Sequence, residues 1–425
     1  MNLLSLSWKN IMNKPLNLML SMVLFGLGIG LINALLLMDH QMKEQFDSNL
    51  AGIDMVIGAK GSPLQMILCS MYHIDNPTGN IGVGEAKPFL NPRHPLIETA
   101  VPLALGDSHR SYRIVGTDHS ILSLYEASIG EGKLWEQHFE VTIGRVVADE
   151  TGLKLGDRFQ SSHGFNDDVD LLHEHGDGFV VVGVLEPTGS VIDQLILTTT
   201  KSIWDVHGHE EASEESHEDH AGHDHADHDH EHDAAGFNLL DYPDEEITNI
   251  LIKFRNRTNF QALNLPRNIN ENTDMQAASP PIEINRLYSM IGVGVDALRN
   301  IAIIIALVSA FSIFISLFSS LKDRKYELAL MRVMGAGRSK LFLLIVLEGV
   351  LLALLGFIVG YIISHIGMEV IAHYAKASYR YSLTGFIFLK EELIIFSISL
   401  LIGIVAALIP AFQAYRTDIH ETLSK

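Results

Sequence analysis

The chain has 425 residues, of which 47% are hydrophobic, and a mean hydropathy of +0.20; that is long enough for more than one domain and apolar for a soluble protein. The net charge of −21 excludes a nucleic-acid binder, since no basic face exists to neutralise phosphates. Twelve acids lie between Asp205 and Asp233 with no Lys or Arg among them, which leaves only −9 for the rest, so the acidity is local.

Residues 1–15 read as a cytoplasmic amphipathic segment. Leu3, Leu4, Leu6, Trp8, Ile11 and Met12 suit a helix lying on a membrane surface. A charge-free apolar run follows at 16–38. A bilayer core needs about 20 apolar helical residues, so this run is the first expected span. It is too long for the apolar region of a signal peptide, and "LLLMDHQ" offers no small-residue cleavage site, so it reads as an uncleaved anchor.

Residues 39–297 read as a mixed α/β domain inserted between spans 1 and 2. "YRIVGTD", "FEVTIGRVVA", "GFVVVGVLE" and "QLILTTT" are short β-branched runs bounded by Gly, Asp or Pro. "VVADETGLKLGDRF" reads as a short helix, a Gly-Asp turn and a strand. "NFQALNLPRNINENTDMQAASPPIEIN" starts helical and then breaks at its Pro- and Asn-rich part. "IDMVIGAKGSPLQMILCSMYHIDNPTGNI" reads as polar and turn-rich; its Gly-Ala-Lys-Gly-Ser-Pro run lacks the spacing of a phosphate loop. The flanks 39–50 and 283–297 suit helical extensions of the neighbouring spans. The single cysteine, Cys69, excludes an intramolecular disulfide framework.

The segment 205–235 is the least expected part of this domain. It carries His207, His209, His217, His220, His223, His225, His228, His230 and His232 among its acids. With almost no apolar residues it cannot build a core and reads as a disordered loop. Neutral imidazoles suit Zn²⁺, Ni²⁺ and Cu²⁺, and H-x-H spacing lets one loop offer several ligand sets. Several weak, exchangeable sites for zinc or another divalent transition metal are therefore expected, against the plainer reading of a solvated acidic loop. His163, Asp167, Asp168, Asp170, His173 and His175 form a smaller cluster, read as a polar hairpin or a supplement to that loop. No H-E-x-x-H or fixed ligand set with a general base points to an enzymatic metal centre.

Three more apolar runs complete the chain, at 298–321, 341–364 and 393–415. The fold class is thus an α-helical membrane protein with four transmembrane helices plus the extracytoplasmic α/β domain. The 322–340 connector carries Arg324, Lys325, Glu327 and Arg332, then a Gly335-Ala336-Gly337 break that lets a surface helix at about 324–334 turn into span 3. Glu348 lies about two turns into span 3, where an ionisable group is costly and faces the bundle interior. Gly356 and Gly360 form a G-x-x-x-G, which permits close helix packing.

Lys and Arg in the short loops set the orientation. Lys9, Lys14, Lys322, Arg324, Lys325, Arg332, Arg338, Lys340, Arg416 and Lys425 fall on one side; only Lys376, Arg380 and Lys390, in the 365–392 loop, fall on the other. Both termini, including the 416–425 tail, and the connector are expected in the cytoplasm.

"DRKYELALMRVMGAGRSKLFLLIVLEGVLLALLGFIVGYI", residues 323–362, resembles the C-terminal membrane module of the FtsX/MacB-like ABC permease superfamily. "IPAFQAYRTDIHETL", with Pro410, resembles its closing segment, and the topology of one span, a large outer domain and three spans is similar too. The resemblance implies a homodimer or paired permease in a bacterial inner membrane, driven by a cytoplasmic ABC ATPase and without enzymatic activity of its own. ATP-driven motion would pass to the outer domain, and Arg324, Lys325, Glu327, Arg332, Gly335, Gly337 and Glu348 become the candidates for coupling. The expected function is a permease subunit linked to zinc or another divalent metal, with membrane lipid and a periplasmic metal-binding protein as further partners. The alternatives are a non-transporting regulator, which activates a wall hydrolase or senses stress, and a metal buffer without an ATPase.

Overall fold

A computed structural model describes residues 3–13, 15–163, 178–206, 237–379 and 383–416. The chain forms two compact units, one from Met1–Glu44 with Met290–Lys425 and one from Gln45–Ser289.

The first unit is helical, built from α1 (Leu3–Met12), α2 (Pro15–Leu50), α3 (Pro280–Asp323), α4 (Lys325–Val333), α5 (Arg338–Tyr379) and α6 (Lys390–Arg416), of which α2 and α3 run on past its bounds at Glu44 and Met290. Helices α2, α3, α5 and α6 are long and apolar enough to cross a membrane. Each outruns its apolar stretch. The 44 residues of α3 span about 66 Å at about 1.5 Å per residue, roughly twice an apolar bilayer core. The flanks 39–50 and 283–297 are accordingly helical.

Small residues bring these helices together. A Cβ on Gly360 of α5 would stand 2.6 Å from the carbonyl oxygen of Gly26 on α2, and one on Gly30 would meet that of Gly360 at 2.9 Å. Gly28, on another face of α2, lies against Ala306 of α3. Gly349 and Gly403 close the α5–α6 contact in the same way. Phe25, Ile29, Ile313, Leu317, Leu352, Ala353 and Ala407 fill the space between. The G-x-x-x-G of α5 is thus a packing face, and its partner is a Gly26-x-x-x-Gly30 that periodicity alone did not single out.

The second unit is built on a mixed sheet, eleven-stranded among the described residues. Its path runs Met275–Ala278, Met55–Ala59, Asn249–Phe254, Ile97–His109, Tyr112–Gly116, Ile196–Thr198, Glu140–Ile143, Phe179–Leu185 and Ile129–Gly132. Two of these pairings are parallel, 196–198 with 112–116 and 140–143 with 179–185; the others are antiparallel. One apolar cluster around Ile57, Ile250 and Ile269 and another around Ile114, Val181 and Ile196 form its core.

Three local readings need correction. The stretch read as polar and turn-rich holds a buried strand at 55–59 and a helix at Pro63–Met71, whose N-terminus is capped by the Ser62 side chain. "FEVTIGRVVA" is strand only to Ile143; Arg145–Thr151 is the helix, ended by a left-handed Gly152. The helix at Phe260–Asn272 runs on through Pro266, because its buried Ala262 and Ile269 bracket the proline and hold both halves to the core.

Candidate coupling site

Helix α3 ends at Asp323, Arg324 leaves helical geometry, and α4 starts at once. The end of α4 is a left-handed stop. Gly335 has φ +96°, its N–H donates to Arg332 O, and the Ala336 N–H donates to Met331 O at 2.9 Å. The expected surface helix is therefore present within a residue at each end, with Gly335 as the break.

One face of α4 packs inward. Leu328 and Ala329 are buried, and Leu328 sits with Leu321, Leu341, Leu344, Ile345, Ala411 and Ala414. On the opposite face Tyr326, Leu330, Val333 and Met334 are exposed, at the spacing of one helical stripe. Lys325, Gly335 and Gly337 are exposed beside it and Arg332 is half-buried.

Beneath α4, three elements converge on one carboxylate. Glu348 is 2% exposed. Its Oε1 accepts from Asn10 Nδ2 at 2.7 Å and from Arg324 Nη1 at 3.3 Å. Arg324 Nε also donates to Glu327 Oε2 at 3.0 Å, and the Ser7 hydroxyl donates to Leu344 O at 3.4 Å. An unpaired carboxylate so deeply buried would be costly; the guanidinium and the amide together offset that cost.

Of the expected site residues, Arg324, Glu327 and Glu348 are brought together, and Lys325, Arg332, Gly335 and Gly337 lie along the adjoining helix and turn. The nine histidines from His207 to His232 lie outside the described residues, as do Asp167, Asp168, Asp170, His173 and His175 of the smaller cluster. Asn10 and Ser7 were missed. The apolar residues of α1 do not share one face: Leu3, Leu6 and Ile11 turn to the bundle while Leu4, Trp8 and Met12 are exposed. The signal was Ser7 and Asn10, uncharged polar residues three apart and therefore on one face of the helix.

Residues 300–419 match the family model "FtsX-like permease C-terminal", which covers the end of α3 and all of α4, α5 and α6. No curated protein matches the chain significantly. FtsX-like permeases are non-enzymatic, multi-pass inner-membrane subunits of ABC systems and imply a cytoplasmic ABC ATPase as partner. The match over residues 300–419, together with four apolar helices and a mixed α/β domain between the first two, makes the chain similar to the FtsX/MacB-like permease superfamily and supports a place beside it.

Proposed function

We propose that this permease converts ATP-driven motion of its partner ATPase into movement of the α/β domain, and that its action is linked to zinc or another divalent metal. The exposed apolar stripe of α4, tied through Arg324 to Glu348 and Asn10, carries the reading. A helix that grips the bundle with one face and presents Tyr326, Leu330, Val333 and Met334 on the other suits a protein partner. Arg324 then links the docking helix to α5, and Asn10 adds α1, so force on α4 reaches two further helices through one carboxylate. The excess of Lys and Arg around the connector supports a cytoplasmic position for it. A homodimer or paired permease is the working unit, and the His-rich insertion supports a metal link, with a periplasmic metal-binding protein as the further partner.

The test is reconstitution with the native ATPase. Leu330→Asp with Val333→Asp should reduce co-purification of the ATPase at least about tenfold, since two charges enter an apolar contact. Glu348→Gln should leave co-purification near wild type but remove stimulation of ATP hydrolysis by the permease. Undiminished co-purification of the double variant would overturn the docking assignment; retained stimulation in Glu348→Gln would overturn the coupling role.

A further inference from the structure

At the end of the bundle where α5 and α6 are joined, Asn33, Ser364, His365 and Glu392 converge within the apolar unit. Asn33 is 2% and Glu392 6% exposed. Asn33 Nδ2 donates to Ser364 Oγ at 2.8 Å and to Glu392 Oε1 at 3.4 Å. His365 Nδ1 lies 2.5 Å from the carbonyl oxygen of Gly385. A carbonyl oxygen only accepts, so Nδ1 carries the hydrogen, and Nε2 of the neutral ring keeps its lone pair. That Nε2 is 3.3 Å from Glu392 Oε1, yet it makes no hydrogen bond among the described residues. Asn33 Oδ1, on the amide that touches Glu392, is a second buried acceptor without a partner among them. A lone pair set beside a buried carboxylate calls for a positive charge between the two.

We propose that His365 and Glu392, with Asn33, bind one divalent transition-metal ion of the zinc class. An imidazole nitrogen and a carboxylate oxygen are a donor set that zinc accepts. Two such ligands, each about 2.0–2.2 Å from a tetrahedral ion, stand about 3.3–3.5 Å apart, which matches the observed separation. An Nδ1–H donated to a backbone carbonyl is the outer bond that orients metal-ligating histidines. A shared proton would instead favour an aligned N–H···O, which Nε2 does not make. No three His, Cys, Asp or Glu side chains converge among the described residues, so Asn33 Oδ1 supplies the third protein ligand and water the fourth.

The surroundings hold the histidine in place. Gly385 N–H donates to Glu369 Oε2 at 2.8 Å, and the Gln41 amide makes two bonds to the Thr384 backbone, at 2.9 and 2.8 Å. A Cβ on Gly385 would stand 2.2 Å from His365 O, so only glycine allows this approach. The ring packs against Tyr361 and Phe388, at 4.2 and 5.6 Å between centroids. An ion here would join α2, α5 and α6.

This site is independent of the His-rich insertion, so the test uses the full chain with residues 207–233 removed, purified in detergent. Calorimetry with Zn²⁺ should find one remaining equivalent, and Co²⁺ should give the visible bands of a four-coordinate N/O site. Glu392→Gln and His365→Gln should each weaken that equivalent by more than about 100-fold, the upper end for loss of an outer-shell partner; Glu391→Gln, at an exposed position, should not. Thermal melts without metal check that the variants fold, and Zn²⁺ should raise the melting temperature of the parent but not of either site variant. No equivalent left after the deletion, or one that survives both site substitutions, overturns the proposal. Loss of all binding on deletion would refute this site while leaving the insertion reading intact; a stoichiometry unchanged by deletion would do the reverse.

Discussion

An ionisable side chain removed from water must find a partner or give up its charge. Glu348 takes the first course, with Arg324 and Asn10 on one oxygen. His73, in the α/β unit, takes the second. It is 8% exposed, and its φ of +52° holds it in the left-handed region. Burial, and then the charge of Arg113, lower its pKa from 6.5 to about 3. Arg113 is itself fixed by Asp75 O at 2.9 Å and Cys69 Sγ at 3.3 Å, while burial pushes the Cys69 thiol up against the opposing pull of Arg113. The unfolded chain binds a proton at His73 below about pH 6.5 and the native chain does not until about pH 3. The neutral histidine's contribution is therefore complete above pH 6.5 and declines as pH falls from 6.5 toward 3. His73→Asn, which tolerates the left-handed backbone and cannot titrate, should flatten the fall in melting temperature across that window. An acid slope equal to wild type would show that His73 does not set it. Glu348 stood out in the sequence because it is one acid in an apolar run. Asn10, 338 positions earlier, did not, since a pairing across helices leaves no local pattern. His73 was equally silent, because it lies in the irregular stretch after the helix at Pro63–Met71, where no periodicity marks burial.

At the scale of elements, helices and strands differed in legibility for a physical reason. The four long helices declare themselves because a bilayer demands an uninterrupted apolar run. The strand at 55–59 hid because it is followed at once by turn residues, and its character depends on pairing with 249–254 and 275–278, distant in sequence. The glycine face of α2 was overlooked because glycine in an apolar run reads as filler until the facing helix is known. Close approach there makes a firm prediction. Gly360→Leu would drive a side chain into the α2 backbone at Gly26, which stands 2.6 Å from a Cβ at that position. Overpacking of this kind costs about 1–3 kcal/mol and should lower the melting temperature by several degrees. Gly292→Ala and Gly294→Ala on α3, where a Cβ meets nothing within 4 Å, should be neutral or mildly stabilising. Thermal unfolding of the detergent-purified chain compares the three. Equal melting temperatures would mean that the α2–α5 approach is not tight.

For the whole molecule, the charge balance and the two-unit division lead to the same experiment. Removing 207–233 takes away nine histidines and eleven of the twelve acids that make the chain so negative. What remains should still fold, because the described residues on either side are tied to one another. The ring centroids of Trp204 and Phe237 lie 6.0 Å apart, and Tyr242 is 5.8 Å from the first and 5.6 Å from the second. Trp204 Nε1 also donates to Glu246 O at 2.7 Å, and His138 Nε2 pairs with Asp205 Oδ2 at 2.5 Å. Because the two ends already meet, shortening the connection costs little: loop-closure entropy changes by only about 0.6 kcal/mol for each halving of length. The shortened chain should therefore keep its melting temperature within a few degrees and keep its ATPase partner. Its capacity for zinc, measured by calorimetry at neutral pH, should fall by several equivalents, and what is lost should be the weak class. At pH 5 the intact chain should bind fewer zinc ions than at neutral pH and approach the shortened one, since an imidazole ligates only in its neutral form and protons compete with the metal. If the intact and shortened chains bind the same number of zinc ions at neutral pH, the insertion has no part in metal binding and the metal link argued from it fails; if the shortened chain no longer folds, the ring contacts at its root do not anchor it.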